Sequence, residues 1–299
     1  MAQLPRKCLA GLESVKLVID HGHIDMSVYR GMDQATLDAA YNNTTAVANS
    51  AEIVADWERR SASMAAAHPQ HLDLRYGRRE RNRLDYFAAP TPGAPVLIFI
   101  HGGYWQMRAK ELFRFLAAGP LAHGISVASV GYTLAPDATL EEIVTEVHGA
   151  ITWIAGHARA YGADVNRLYV SGWSAGGHLT ALSLAHPEVR GGLAISGIFD
   201  LEPIRLSYLN GKLRLDANGA ARLSPLRNIP AASPPLVISY GTAELPELQR
   251  QSREYAAARR AAGLRGHVAA LAGHNHFTIL EELARPHGAL AKLVVDMVG

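Results

Sequence analysis

Three residues far apart in the chain have the types needed for acyl transfer: Ser174, Glu244 and His276. Ser174 sits in Gly172-Trp173-Ser174-Ala175-Gly176, a G-x-S-x-G pattern. Glycines on both sides let backbone segments crowd together while the hydroxyl stands exposed at the turn. A serine hydroxyl is almost wholly protonated at neutral pH, so a nucleophilic serine needs a histidine to take its proton. It also needs a carboxylate to hold the imidazole in the right tautomer and to stabilise the imidazolium. The oxyanion of the tetrahedral intermediate needs preorganised donors, each typically worth about 3 kcal/mol in the transition state. Gly102 and Gly103 can expose backbone N–H groups where a side chain would obstruct them, and the amide of Ala175 supplies another donor.

Strands must place these groups. The apolar run ending at Val170, followed by small residues and then by the segment from Ala175 to Ala185, reads as strand, sharp elbow and helix. The unbroken apolar run Val96 to Ile100 reads as a strand buried on both faces and leads directly into His101-Gly102-Gly103-Tyr104-Trp105. Further strands are expected at Gly124 to Val130, Gly192 to Ile195, Pro235 to Tyr240 and Gly266 to Leu271. Helices are expected from about Lys110 to Ala122, from near Thr139 with Glu142 as a capping-box partner, from Pro246 to Ala262, and from Phe277 to Met297. Leu72 to Tyr76 and Arg83 to Phe87 alternate and suit an antiparallel hairpin with one solvated face; the basic run Arg78 to Arg83 between them reads as a solvated turn. Residues 32–68 have helical spacing, with Asp33 as a cap.

Strands alternating with helices imply an α/β fold: a mostly parallel central sheet with an antiparallel opening hairpin and helices on both faces. In such sheets ligands bind beyond the carboxyl ends of the strands, which is where Ser174, Glu244, His276 and the Gly102-Gly103 pair all fall. The expected organisation is a single domain, with residues 1–70 as a helical segment covering a hydrolase core over 71–299. An insertion near the site spans about 201–234, where Pro, Asn and Gly break the rhythm.

The 299 residues are 48% hydrophobic and 19% charged, enough for one large core. The 29 basic and 27 acidic residues are scattered, so no nucleic-acid partner is expected. The single cysteine, Cys8, excludes an internal disulfide, and no stretch has the length of a membrane span. A cytoplasmic location follows as an expectation. The pairs His21-x-His23 and His274-x-His276 lack a carboxylate or cysteine at ligand spacing, so no metal or other cofactor is expected.

The chain resembles the α/β-hydrolases related to kynurenine formamidase (arylformamidase) and, more distantly, the hormone-sensitive-lipase-like esterases, over roughly residues 84–283. His101-Gly-Gly-Tyr-Trp105 is similar to the formamidase form of the oxyanion motif, in which an aromatic pair replaces the third glycine. The elbow through Ser174-Ala-Gly-Gly-His178, the segment Glu244-Leu-Pro-Glu-Leu-Gln-Arg-Gln-Ser252 and His276-Phe277 are similar too. The resemblance implies a Ser174, Glu244, His276 triad with Gly102, Gly103 and Ala175 as the oxyanion hole. Where animal formamidases usually have aspartate, this chain has Glu244.

Rivals remain for two roles. Asp200 and Glu247 compete with Glu244 as the acid; Asp200 ends the strand directly after the elbow, and Glu247 suits the start of a helix. His274 competes with His276, and the resemblance favours His276. His101 and His178 read as structural. Tyr104, Trp105, Trp173, Tyr132, Phe199 and Leu245 lie at or beside these loops and are expected to wall an apolar or aromatic pocket. The implied function is a serine hydrolase cleaving a small aryl formamide or carboxylic ester through an acyl-enzyme. The alternatives are a general carboxylesterase or other amide hydrolase, or a ligand-binding hydrolase-fold protein without catalysis. The expected partner is a small ester or amide, with no membrane; a homodimer is open.

Overall fold

The computed structural model describes residues 27–299; Cys8 and the His21-x-His23 pair lie outside them. Helices α1 (Gln34–Ala39), α2 (Asn43–Ala46) and α3 (Ser50–Ala67) precede strands β1 (Leu74–Arg75), β2 (Arg83–Phe87) and β3 (Ala94–Ile100). A 3-10 helix (Lys110–Ala117) runs into α4 (Ala118–Leu121), followed by β4 (Ser126–Val130), α5 (Leu140–His157), β5 (Ala163–Trp173), α6 (Ala175–Ser183) and β6 (Val189–Ile195). Three short helices, α7 (Glu202–Leu206), α8 (Asn210–Leu213) and α9 (Ala217–Leu223), fill the irregular stretch. The chain ends with β7 (Leu236–Gly241), α10 (Pro246–Ala261), β8 (Gly266–Leu271), α11 (Glu281–Ala284) and α12 (Ala289–Val298).

The eight strands form one sheet in the order β1-β2-β4-β3-β5-β6-β7-β8. Strand β2 pairs antiparallel with β1 and β4, and every pair from β4 to β8 is parallel. β3 is buried at all seven positions because the sheet is covered on both sides. Its Val96, Ile98 and Ile100 pack into one apolar cluster with α5, while Leu97 and Phe99 pack into the other with Trp57 of α3 and Val294 of α12. Full burial of each such side chain contributes about 2 kcal/mol. Thr139 and Glu142 form a reciprocal capping box at the start of α5, and Asp33 caps α1 by accepting from Thr36 N.

Three local expectations need correction. The solvated face is confined to β1, where Arg75 is exposed; on β2 Asp85 is fully buried, and it is satisfied there by Lys110 Nζ at 2.8 Å and Arg114 Nε at 2.7 Å. Nor is the basic turn simply solvated. Arg81 is half-buried and donates to the carbonyls of Tyr132 and Arg108, tying the loops after β4 and β3 together. The closing helix is broken into a 3-10 turn (Thr278–Leu280), α11 and α12. Pro286 forces the break: it has no N–H to donate and biases Arg285 toward extended backbone, seen at φ −83° and ψ 133°. Among the described residues, no helix is long and apolar enough to cross a membrane.

Candidate active site

The chain leaves β5 through a left-handed residue. Ser174 has φ 58° and ψ −118°, and its N–H donates to the carbonyl of Ile195 at 2.8 Å. A non-glycine residue held there stores about 1–3 kcal/mol of strain, which the surrounding packing must impose. That packing depends on missing side chains. A Cβ on Gly172 would lie 2.3 Å from the carbonyl oxygen of Gly176, and one on Gly176 would lie 2.0 Å from that of Ile100. β3, β5 and the first turn of α6 thus meet at distances only glycine permits.

The loop after β3 lies against Ser174. A Cβ on Gly102 would come within 3.1 Å of Ser174 Cβ and 2.6 Å of the Trp173 ring. Gly103 (φ 114°), Tyr104 (φ 50°) and Trp105 (φ 59°) then run through consecutive left-handed positions. His101 anchors the loop: its ring stacks on Tyr132 with centroids 4.2 Å apart, and its Nδ1–H donates to the Gly102 carbonyl at 2.7 Å. Complete burial pushes the His101 pKa down to about 3, so the ring is neutral. The Tyr104 hydroxyl donates to the Tyr41 carbonyl at 2.6 Å and accepts from Asn43 Nδ2 at 2.8 Å, so α2 and the link leading into it from α1 hold the far end of the loop.

β7 and β8 bring in the other two groups. His276 Nδ1 and Glu244 Oε2 are 3.1 Å apart, with both residues buried. With Nδ1–H donating to the carboxylate, Nε2 is the ring nitrogen free to accept a proton. The second carboxylate oxygen, Oε1, accepts from Ser196 Oγ at 2.6 Å and from Gly241 N at 2.7 Å. His276 is held from the other side by Trp173, whose Nε1 donates to the His276 carbonyl at 2.8 Å and whose ring lies 4.7 Å from the imidazole. No hydrogen bond joins Ser174 Oγ to His276 here; Trp173, next to Ser174 in the chain, is what ties the two together.

The rivals are committed elsewhere. Asp200 accepts from Tyr29 Oη and Arg227 Nε. Glu247 is gripped by Arg250 at 2.7 and 2.8 Å and accepts from Tyr41 Oη. His274 Nδ1 meets the Thr278 carbonyl, and its Nε2 is 3.7 Å from Glu282. His178 is fully buried, with Nε2 on the Leu223 carbonyl and a pKa pushed down to about 4 by desolvation.

The six residues expected to wall a pocket divide into two groups. Tyr104 and Trp173 adjoin the site as described, and Leu245 is half-buried beside Glu244; separately, Ala175, expected as an oxyanion donor, begins α6 directly after Ser174. Trp105, Tyr132 and Phe199 are completely buried instead: Trp105 packs edge-on against His178, Tyr132 stacks on His101, and Phe199 stacks on Tyr255 at 4.5 Å. These three brace the loops from behind, and their aromatic character reflects core packing.

Two contributions escaped sequence reasoning. Ser196, at φ 51° just past β6, holds the carboxylate; the small pair Ser196-Gly197 at a strand end was its only signal. Trp57 of α3 is the other. It packs edge-on against Trp173 at 5.8 Å, near Phe277 at 5.9 Å and Phe115 at 5.5 Å, beneath the chain neighbours of Ser174 and His276.

The kynurenine formamidase of Danio rerio is 32% identical over 243 residues, covering 76% of this chain and 82% of that protein. The chain belongs to the kynurenine formamidase family of α/β-hydrolases. A formamidase of Drosophila melanogaster is 29% identical, over 71% of this chain and 76% of its own length. A family model described as BD-FAE matches residues 85–190, a span that runs from β2 into β6 and contains the Gly102-Gly103 loop and the elbow. Among solved structures, a Silicibacter sp. tm1040 protein provisionally assigned as a thioesterase superposes with TM-score 0.78 at 28% identity, covering 87% of this chain and 98% of that one. An esterase of Thermogutta terrifontis shares the fold with TM-score 0.64 at 22% identity, over 77% of this chain and 95% of its own. As a member of the formamidase family the chain is a hydrolase.

Proposed function

We propose that the chain is a serine hydrolase that cleaves a small aryl formamide or carboxylic ester through an acyl-enzyme on Ser174. The observation that carries this reading is the 3.1 Å contact between His276 Nδ1 and Glu244, made at the strand ends that also present Ser174 at a left-handed elbow. In acylation, His276 Nε2 takes the proton of Ser174 Oγ as the oxygen attacks the carbonyl carbon. Glu244 stabilises the imidazolium that forms. The oxyanion lies toward the N–H groups of the Gly102-Gly103 loop and of Ala175. His276 then returns the proton to the departing amine or alcohol, the C–N or C–O bond breaks, and water activated by the same imidazole releases the acid. Glutamate performs the role of the shorter aspartate because Ser196 and Gly241 fix its carboxylate.

Family membership supports the formamide, N-formylkynurenine being the test substrate, and the esterase neighbours support short esters; both pass through the same tetrahedral chemistry. We further infer that α1–α3 act as a cover for a single hydrolase domain, since Tyr41 and Asn43 fasten Tyr104 and Trp57 supports Trp173. A cytoplasmic location is part of the same reading. The test is a panel of N-formylkynurenine against p-nitrophenyl esters of increasing chain length, combined with fluorophosphonate labelling. Labelling that disappears in Ser174→Ala is expected, and an unlabelled wild type would sink the proposal. Formamidase kcat/KM below that on every short ester would move the substrate to carboxylic esters.

A further inference from the structure

At the opposite end of the sheet from Ser174, the last turn of α10 and the starts of β7 and β8 enclose a cavity of about 320 Å3. Leu236, Ile238 and Leu264 give it an apolar floor. Its charged lining is of one sign only: Arg259, Arg260 and Arg265, with His267 beside them and neither Asp nor Glu among the lining residues. Arg259 is the informative member. Only 4% of it is exposed, yet no carboxylate lies within ion-pair distance among the described residues. Its guanidinium makes long contacts of 3.3 and 3.4 Å to Ser233 Oγ and one of 3.2 Å to the Pro234 carbonyl, and it lies 5.7 Å from the Tyr255 ring centroid.

Burying a guanidinium without a counter-charge is costly; the buried Asp85, by contrast, meets both Lys110 and Arg114. Basic residues in a last helical turn suit the helix dipole, but that accounts for Arg259 and Arg260 only when solvated and leaves Arg265, on the turn into β8, unexplained. A guanidinium presents a planar fork of donors that fits carboxylate and phosphate. An apolar floor beneath such forks suits an anion attached to a hydrophobic body.

We propose that this cavity is a binding site for a small organic anion, a carboxylate or phosphate monoester on an apolar or aromatic group, with Arg259 as its buried anchor and Arg260 and Arg265 closing over the charge. It is separate from the hydrolytic residues, which lie at the carboxyl ends of the strands. The binding is independent of the acyl-transfer reading.

Calorimetric titration of the full chain with benzoate, phenyl phosphate and uncharged benzamide tests it. At least one anion is expected to bind saturably, more weakly at high salt, and benzamide not at all; which anion binds separates carboxylate from phosphate. The Arg260→Gln/Arg265→Gln variant changes only exposed residues and is expected to weaken binding roughly ten-fold or more, with p-nitrophenyl ester hydrolysis unchanged. Arg259→Gln, if its circular dichroism melt shows it folded, is expected to abolish binding. Absence of saturable anion binding, equal binding of benzamide, or undiminished affinity in the Arg260→Gln/Arg265→Gln variant would each overturn the proposal.

Discussion

The two ends of the central sheet treat backbone strain in opposite ways. At the amino ends of the strands, left-handed positions are mostly taken by glycine: Gly93 before β3, Gly124 before β4, Gly162 before β5, Gly263 before β8 and Gly266 at its first residue, with Asp73 before β1 the exception. At the carboxyl ends, left-handed positions are held by Tyr104, Trp105 and Arg108 after β3, Ser174 after β5 and Ser196 after β6, with Gly103 and Gly273 the exceptions. Glycine adopts positive φ without steric cost, whereas an L-residue there costs about 1–2 kcal/mol. On the proposed mechanism the strained end keeps its side chains because the chemistry and its supports need them: the Ser174 hydroxyl, the Ser196 hydroxyl on Glu244, and the Tyr104 latch to the N-terminal segment. Stability is given up at one end of the sheet and retained at the other.

The sharpest break of this contrast is to remove a side chain that the strain serves. Ser174→Ala and His276→Ala are expected to lower kcat/KM on p-nitrophenyl acetate by about 10^4-fold or more while melting temperatures stay within a few degrees of wild type. Glu244→Gln should leave a small residual rate. If Asp200→Asn were the crippling change instead, the contact between His276 and Glu244 would not be the working one.

Acid should attack the strained end. His101 and His178, both beside it, have folded pKa values of about 3 and about 4, below the ordinary 6.5, so each is neutral when folded. Their contribution to stability is complete above about pH 6.5 and is lost as pH falls toward those folded values, because the unfolded chain binds the protons first. Protonation would also leave His101 Nε2 and His178 Nδ1, which have no hydrogen-bond partner among the described residues, as buried donors with nothing to accept them. For His178 the loss by pH 4 is about 3 kcal/mol. Denaturant melts at pH 7, 5.5 and 4 should show it, and His178→Gln should flatten the dependence.

Ser196 separates strain from function. Ser196→Ala keeps the left-handed residue but loses the hydroxyl on Glu244, so kcat should fall about 10- to 100-fold. Ser196→Gly loses the same hydrogen bond while relieving the backbone, and should be equally slow but at least as stable as the alanine variant. If the two melted in the opposite order, positive φ at this position would not be costly. At the glycine end the expected effect is smallest. Gly162→Ala, at φ 85° with open space around the added methyl, should cost about 1 kcal/mol in urea melts and leave kcat/KM unchanged.

Much of the fold follows from short-range pattern. Val96 to Ile100 is apolar without interruption because its strand is covered on both faces, and Thr139 with Glu142 marks a helix start by local hydrogen bonding alone. Pro286 was equally legible as a helix break, and the apolar periodicity around it obscured the signal. Asp85 was misleading for the reverse reason: alternation placed it on a solvated face, and only the approach of Lys110 and Arg114 from a 3-10 helix made its burial tolerable.

Within the site, the sequence by itself determined the elbow around Ser174 and the Gly102-Gly103 loop, since both are local requirements of a backbone that must turn sharply and pass close to itself. Which carboxylate faces His276, that Ser196 holds it, and that Trp105, Tyr132 and Phe199 turn inward were decided only by tertiary structure. Those outcomes depend on distances between strand ends scores of residues apart in the chain. Side-chain type states what a group can do; only packing states what stands opposite it.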